Sequence, residues 1–260
     1  MLPNGWRVQS VLELGRHDPN TVQTGPFGSQ LHAEDYVEEG IPLLLIRNIG
    51  ENGLVLDGLP RISEQDAARL VRYALKSGDV VFSRVGRVGS CFLATKDQDG
   101  WIISGQTLRI RLPYDDLHPQ YFLYALRDKE AQDFITGASV GTTRSSINTS
   151  ILKSLPVRVP SYPEQVAIAD ILTTVDQAIE QTEALIAKQR RIKAGLLHDL
   201  LTRGIDEHGR LRDPSTHRFK PSPVGSVPEE WEVVRLGDVC RFASGGTPSR
   251  TNPDYWNGRV

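Results

Sequence analysis

At 260 residues, 39% of them hydrophobic and 24% charged, the chain has a globular composition with room for one sizeable core and a further element. No run of about 18 uncharged apolar residues occurs, and the start Met1-Leu2-Pro3-Asn4-Gly5-Trp6 has no basic segment leading into an apolar one, so neither a membrane span nor a signal peptide is expected and the expected location is cytoplasmic. The net charge of -2 and pI near 6.3 give no overall basic surface, while Cys91 and Cys240, far apart and without CxxC spacing, argue against a disulfide framework or a structural zinc site and read as core thiols.

Over residues 3–160, short apolar runs alternate with Gly, Pro and Asn. Ile41-Pro42-Leu43-Leu44-Leu45-Ile46, Asp79-Val80-Val81-Phe82-Ser83 and Thr107-Leu108-Arg109-Ile110-Arg111-Leu112 read as strands. Two stretches read as helices: 63–75, which opens on Ser63 with Asp66 three residues on, and 119–134, where Phe122, Leu123, Ala125 and Leu126 fall at helical spacing. The region 1–160 is therefore mixed α and β. Glu34, Asp35, Glu38 and Glu39 crowd one segment, whereas the stretch between Asp133 and Glu164 carries Arg144, Lys153 and Arg158 without an acid, so a basic face is expected despite the overall balance.

The pattern changes at Pro160-Ser161-Tyr162-Pro163. Residues 164–202 contain no proline and only Gly195, which predicts one helix about 60 Å long within a segment 161–204. Steps of four and three give the seam Ile168, Leu172, Val175, Ile179, Thr182, Ile186, Gln189, Lys193, Leu196 and Leu200, seven of whose ten members are apolar. Such a seam wants a partner helix. The polar members would weaken its middle or set its register; the alternative is an amphipathic helix lying on its own domain.

Arg203-Gly204 stops that helix, and a polar connector follows over 205–226. The chain then repeats its own opening: Val227-Pro228-Glu229-Glu230-Trp231-Glu232-Val233 lies over Leu2-Pro3-Asn4-Gly5-Trp6-Arg7-Val8 at an offset of 225 residues. Gly245-Gly246-Thr247-Pro248-Ser249 answers Gly25-Pro26-Phe27-Gly28-Ser29. A repeat this long marks a duplicated domain, of which 227–260 hold only the start, so loose packing or a borrowed partner is expected there.

These stretches carry a family resemblance. The opening Leu2 to Trp6, the segment Gly25 to Asn48, the run Gly78 to Gly86, and above all Ile147-Asn148 through Pro160 into Glu164-Gln165-x-x-Ile168-Ala169, with Gly195-Leu196-Leu197 and Leu200-Leu201-Thr202 near the helix end, resemble the specificity (S) subunits of type I restriction-modification systems. The resemblance implies an α+β protein: a target-recognition domain at 1–160, a long coiled-coil-type spacer helix at 161–204, a connector at 205–226 and a second, truncated recognition domain from 227. It implies no catalysis and no cofactor in this chain. Its partners would be double-stranded DNA, methyltransferase (M) subunits that bring S-adenosylmethionine, and a restriction (R) motor subunit that brings ATP and Mg, with a homodimer through the spacer helix as a further possibility.

The motifs of independent chemistry are missing from the sequence: no Gly-x-x-x-x-Gly-Lys-Ser/Thr, no Gly-x-Gly-x-x-Gly and no His-Glu-x-x-His. Asn252-Pro253-Asp254-Tyr255 approaches a base-gripping methyltransferase motif but has the wrong third residue and no cofactor loop before it. Reading bases needs Arg for guanine and Asn or Gln for adenine, on loops held by a scaffold. Three places qualify: Arg47 and Asn48 at a strand end; Arg84 and Arg87 in a Gly-containing turn; and Thr142, Thr143, Arg144 and Asn148 in a polar loop, the first choice. Against this stands a plainer alternative, in which the asparagines cap turns and the arginines are solvated. A coiled-coil assembly or decoy protein that binds the partner subunits without DNA is the competing function.

Overall fold

A computed structural model of the chain describes residues 3–26, 30–51, 53–138, 146–252 and 255. The order of elements is β1 (Arg7–Ser10), α1 (Val11–Leu14), β2 (Val22–Thr24), β3 (Tyr36–Val37), β4 (Ile41–Leu44), β5 (Arg61–Ile62), α2 (Glu64–Arg69), β6 (Val80–Ser83), β7 (Cys91–Leu93), β8 (Ile102–Ile103), β9 (Thr107–Ile110), α3 (Pro119–Arg127), α4 (Lys129–Ala138), α5 (Thr149–Ser154), β10 (Pro156–Val159), α6 (Tyr162–Arg203), β11 (Phe219–Ser222), β12 (Gly225–Pro228) and α7 (Leu236–Val239). The chain divides into two compact units, Met1–Ile179 and Glu180–Val260. No helix among the described residues is long and apolar enough to cross a membrane.

The first unit is layered. An antiparallel sheet of order β2-β9-β6-β7 lies between helices and a second sheet of order β3-β5-β4-β8, in which β4 and β8 run parallel. Alternation along the strands sorts the side chains. Val80, Phe82, Leu108 and Ile110 join the helix residues Phe122, Leu126 and Leu152 in one core, whereas Val81 and Phe92 face Leu43, Leu44, Ile62, Ile102 and Ile103 in the other. Covering both faces explains why β6 and β9 are buried at every position. Arg109 pairs with Val81 across the ladder and so lies between the sheets. There a charge needs partners: its guanidinium donates to Gln23 Oε1 (2.6 Å) and Ala74 O (3.1 Å). Burial first, and the charge of Arg111 second, pull the Arg109 pKa down to about 10, which leaves it protonated at neutral pH.

Side-chain caps cut two predicted elements. The strand over 41–46 stops at Leu44, since Asn48 Oδ1 accepts the Leu45 N–H (3.2 Å) and draws 46–48 into a 3-10 turn. The helix over 119–134 is two helices, because Asp128 adopts extended backbone and its carboxylate takes the Glu130 N–H (3.2 Å), opening α4. As predicted, Ser63 caps α2 by accepting from the Asp66 N–H at 3.1 Å, but the helix expected over 63–75 stops at Arg69, followed by a 3-10 turn at Val71–Tyr73, and the strand expected over 107–112 stops at Ile110.

The antiparallel pair β1–β10 ties the start of the chain to the strand that leads into α6. The Glu-Gln opening of that helix is a joint. Glu164 Oε2 accepts from Ser161 N (3.2 Å) and Ser161 Oγ (2.7 Å), while the wholly buried Gln165 accepts the His118 N–H (2.8 Å) and donates to the carbonyls of Asp116 (3.1 Å) and Pro160 (3.0 Å). Ala169 is buried beside it, and Tyr124 donates its hydroxyl proton to Asp176 (2.8 Å). The opening turns of α6 therefore lie on the first domain, as the amphipathic alternative expected, whereas the seam beyond them is bare.

In the second unit, the stretch expected as a connector contains an Ile205–Leu211 bridge and the hairpin β11–β12, which runs through the expected boundary at 226–227. Helix α7 stands 225 residues after α1, the offset of the sequence repeat, whereas residues 232–235, the counterpart of β1, form no strand. The described residues from 232 to 251 are exposed, as is Tyr255. Cys240 is among them, which corrects its reading as a core thiol; Cys91 is buried, and burial pushes its thiol up to about 11.

Candidate nucleic-acid interface

Strand β6 delivers the arginine turn. Past Ser83 the chain reverses into β7 through Gly86 (φ +76°) and Gly89 (φ +91°), conformations that a side chain would strain. Ser83 N donates to Ser90 O (2.9 Å) and Ser83 Oγ to Val85 O (2.8 Å), closing the turn, with Arg84 half-buried and Arg87 exposed. Residue 47 reaches the same place from β4, and Arg47 is held by a 2.7 Å bond from Nη2 to Gly58 O.

Two clefts of the first unit meet at Ile46 and Arg47. One, of about 590 Å³, is also lined by Tyr36, Arg84, Ser104 and Gln106; the other, of about 470 Å³, by Val55, Val85, Gly86 and Arg87. No carboxylate is among the described lining residues of either. Arg47 and Arg87 form no ion pair among the described residues, in contrast to the half-buried Arg111, which grips the buried Asp79. The arrangement is a cationic trough with apolar walls, able to hold polyanionic backbone and to present guanidinium groups to base edges.

The structure thus brings Arg47, Arg84 and Arg87 together, although 37 residues separate Arg47 from Arg84. Two expectations on asparagine change. Asn48 is buried, with its amide donating to Val55 O (3.0 Å) and Asp57 O (3.1 Å), so it shapes the loop behind Arg47 and is not at the surface. Asn148 is exposed but caps α5 by accepting the Ile151 N–H (2.9 Å). Thr142, Thr143 and Arg144 lie outside the described residues. Ser146, the first described residue after them, bridges Val85, and Ile147 N donates to Arg84 O (3.0 Å).

Of the cations in the acid-free stretch, the two among the described residues do not line these clefts: Arg158 is paired with Glu130, and Lys153 donates to Pro19 O (2.8 Å). Nothing in a local charge count reports such distant partners.

On α6 the predicted seam is solvent-facing beyond Ile168, which packs partly against the core. Leu172, Val175, Ile179, Ile186, Leu196 and Leu200 are all exposed, with Ile179 at 49% and Ile186 at 46%; Ile171, Leu185, Ile192, Leu197 and Leu201 widen the stripe. Charge along α6 is polarised. From 162 to 187 it has Glu164, Asp170, Asp176, Glu180 and Glu183 and no Lys or Arg, whereas 188–203 carry Lys188, Arg190, Arg191, Lys193 and Arg203 against Asp199.

Comparison with known proteins decides the family: the model of the type I restriction modification DNA specificity domain matches residues 33–188, more than half of the chain. The chain belongs to this family. A Methanocaldococcus jannaschii chain named as the specificity subunit of the MjaX type I restriction enzyme is 29% identical over 246 residues, covering 93% of this chain and 54% of that one. Among solved structures, the type I S subunit of M. genitalium superimposes with a TM-score of 0.53 at 22% identity, over 80% of this chain and 49% of that one. The HsdS subunit of Thermoanaerobacter tengcongensis gives 0.51 at 21%, over 96% of this chain and 58% of that one. These likenesses carry the S-subunit fold, a mixed α+β recognition domain joined to a long spacer helix. The chain spans about half the length of these specificity subunits.

Proposed function

We propose that this chain is the DNA-reading component of a type I restriction-modification complex, acting in the cytoplasm and doing no bond chemistry itself. The observation that carries the reading is the convergence of Arg47, Arg84 and Arg87 on adjoining, carboxylate-free clefts, in a chain of the specificity family. The trough takes double-stranded DNA. Methyltransferase subunits then supply S-adenosylmethionine, and a motor restriction subunit supplies ATP and Mg. Electrophoretic titration of the chain against a randomised duplex pool tests this: a subset of sequences is retained, with affinity falling steeply as salt rises. Retention of none would favour the decoy reading, and retention of all sequences equally would contradict sequence selection by this chain.

The polarised charge of α6 favours a further step, pairing of two copies through antiparallel spacer helices. With the two seams aligned end to end, Glu180 of one helix stands opposite Lys188 of the other, and Asp176 opposite Ile192 between Arg191 and Lys193. Each aliphatic side chain covered contributes roughly 1.5 to 3 kcal/mol. A two-fold pair holds identical recognition domains at opposite ends and calls for an interrupted palindromic target.

A further inference from the structure

We infer that Gln106, an exposed amide on the braced turn between the two sheets, is a base-reading residue whose matched base is adenine. The inference rests on the DNA-recognition reading above and adds a residue to it. The turn Ser104-Gly105-Gln106-Thr107 joins β8 of one sheet to β9 of the other and is fastened on every side. Thr107 N (3.0 Å) and Thr107 Oγ1 (2.8 Å) both donate to Ser104 O, and Ser104 N donates to Leu44 O (3.0 Å). The arginine turn braces it as well: Arg84 N donates to Gln106 O at 3.0 Å and Arg84 Nη1 to Gly105 O at 3.4 Å. Behind it, the chain passes so close that a Cβ on Gly25 would lie 2.3 Å from Ser104 O and 2.4 Å from Ile103 O. The backbone of Gln106 is therefore held while its side chain reaches solvent.

Among the described residues, the side chain itself is unused. Amides that serve the fold are bonded: Asn48 within its loop, Gln98 to Thr95, Gln132 to Gly89 and Leu126, Gln165 at the helix joint. Gln106 makes no side-chain hydrogen bond among the described residues, yet it lines the cleft that holds Arg47 and Arg84. An amide pairs one donor with one acceptor, the complement of adenine N6 and N7 in the major groove. Arginines beside it can position phosphates, and a pre-set turn lowers the ordering cost of the contact.

The test selects bound duplexes from a randomised pool with the full chain, its Gln106→Ala and Gln106→Glu variants, and Arg47→Ala for comparison. Expected is an adenine preference at one position that falls by about 5- to 150-fold in Gln106→Ala while every other position keeps its preference. In Gln106→Glu the same position shifts toward cytosine, whose N4 amine suits an acceptor. Both variants should melt as the wild type does. A selective wild type whose preferences survive Gln106→Ala, or weaken at all positions alike, overturns the inference and leaves the DNA-recognition reading standing; an unselective wild type overturns both.

Discussion

Arg111 holds both oxygens of Asp79, Nε to Oδ1 at 2.7 Å and Nη2 to Oδ2 at 2.6 Å, and so locks the end of β9 to the start of β6. Asp79 is 1% exposed, and Arg109 lies 4.0 Å from the same carboxylate. Removing that one anion leaves two guanidinium groups without their counter-charge between the sheets. Asp79→Ala is expected to cost about 3 to 5 kcal/mol in urea unfolding. An unfolding midpoint unchanged from the wild type would show that the pair does not hold the sheets.

Asn48 acts through loop shape. Truncation to Ala strands the carbonyls of Val55 and Asp57 and the Leu45 N–H, for an expected loss of about 1 to 3 kcal/mol in stability. A base reader would behave otherwise: stability would stay and one position of the target would lose its preference. Comparing melting curves with pool selection separates the two.

Arg47 and Arg87 are expected to touch phosphates or bases, and salt distinguishes these. For each phosphate that substitution by Ala leaves without its arginine, the slope of log affinity against log salt should flatten by about 0.9, with affinity falling alike for all sequences. A decrease confined to one base pair would instead make that arginine a reader. An unchanged affinity in both variants would remove the trough from the interface.

The helix pairing makes a charge-swap prediction. Glu180→Lys sets lysine against Lys188 twice in a two-fold pair and should shift sedimentation toward monomer at micromolar concentration. Adding Lys188→Glu should restore the dimer, and Ile179→Asp with Ile186→Asp should abolish it. A wild type that sediments as a monomer would leave the exposed seam to the partner subunits.

The long helix is legible in the sequence because its signals are local: a Ser161–Glu164 cap, no internal proline and a terminal Gly204. The arginine turn is legible for a similar reason, since Gly86 and Gly89 announce a reversal between two apolar runs. Where sequence reasoning fails, the partner lies elsewhere in the chain. Arg158 meets Glu130, and the buried fate of Asn48 depends on carbonyls of a loop whose path the sequence does not announce. Gln106 escapes it because a lone glutamine in a turn has no pattern; only the convergence of Gly25, Leu44 and Arg84 around it makes the position distinctive.

Above all, this chain is proposed to choose the DNA sequence on which its partners act. Genome-wide methylation mapping tests that most directly, in prokaryotic cells that carry the partner methyltransferase with no specificity chain, with the wild type, or with an Arg47→Ala, Arg87→Ala double variant. The account predicts one methylated motif that appears only with the wild-type chain and is absent or strongly reduced in the double variant. The same motif methylated in cells without the chain would contradict it.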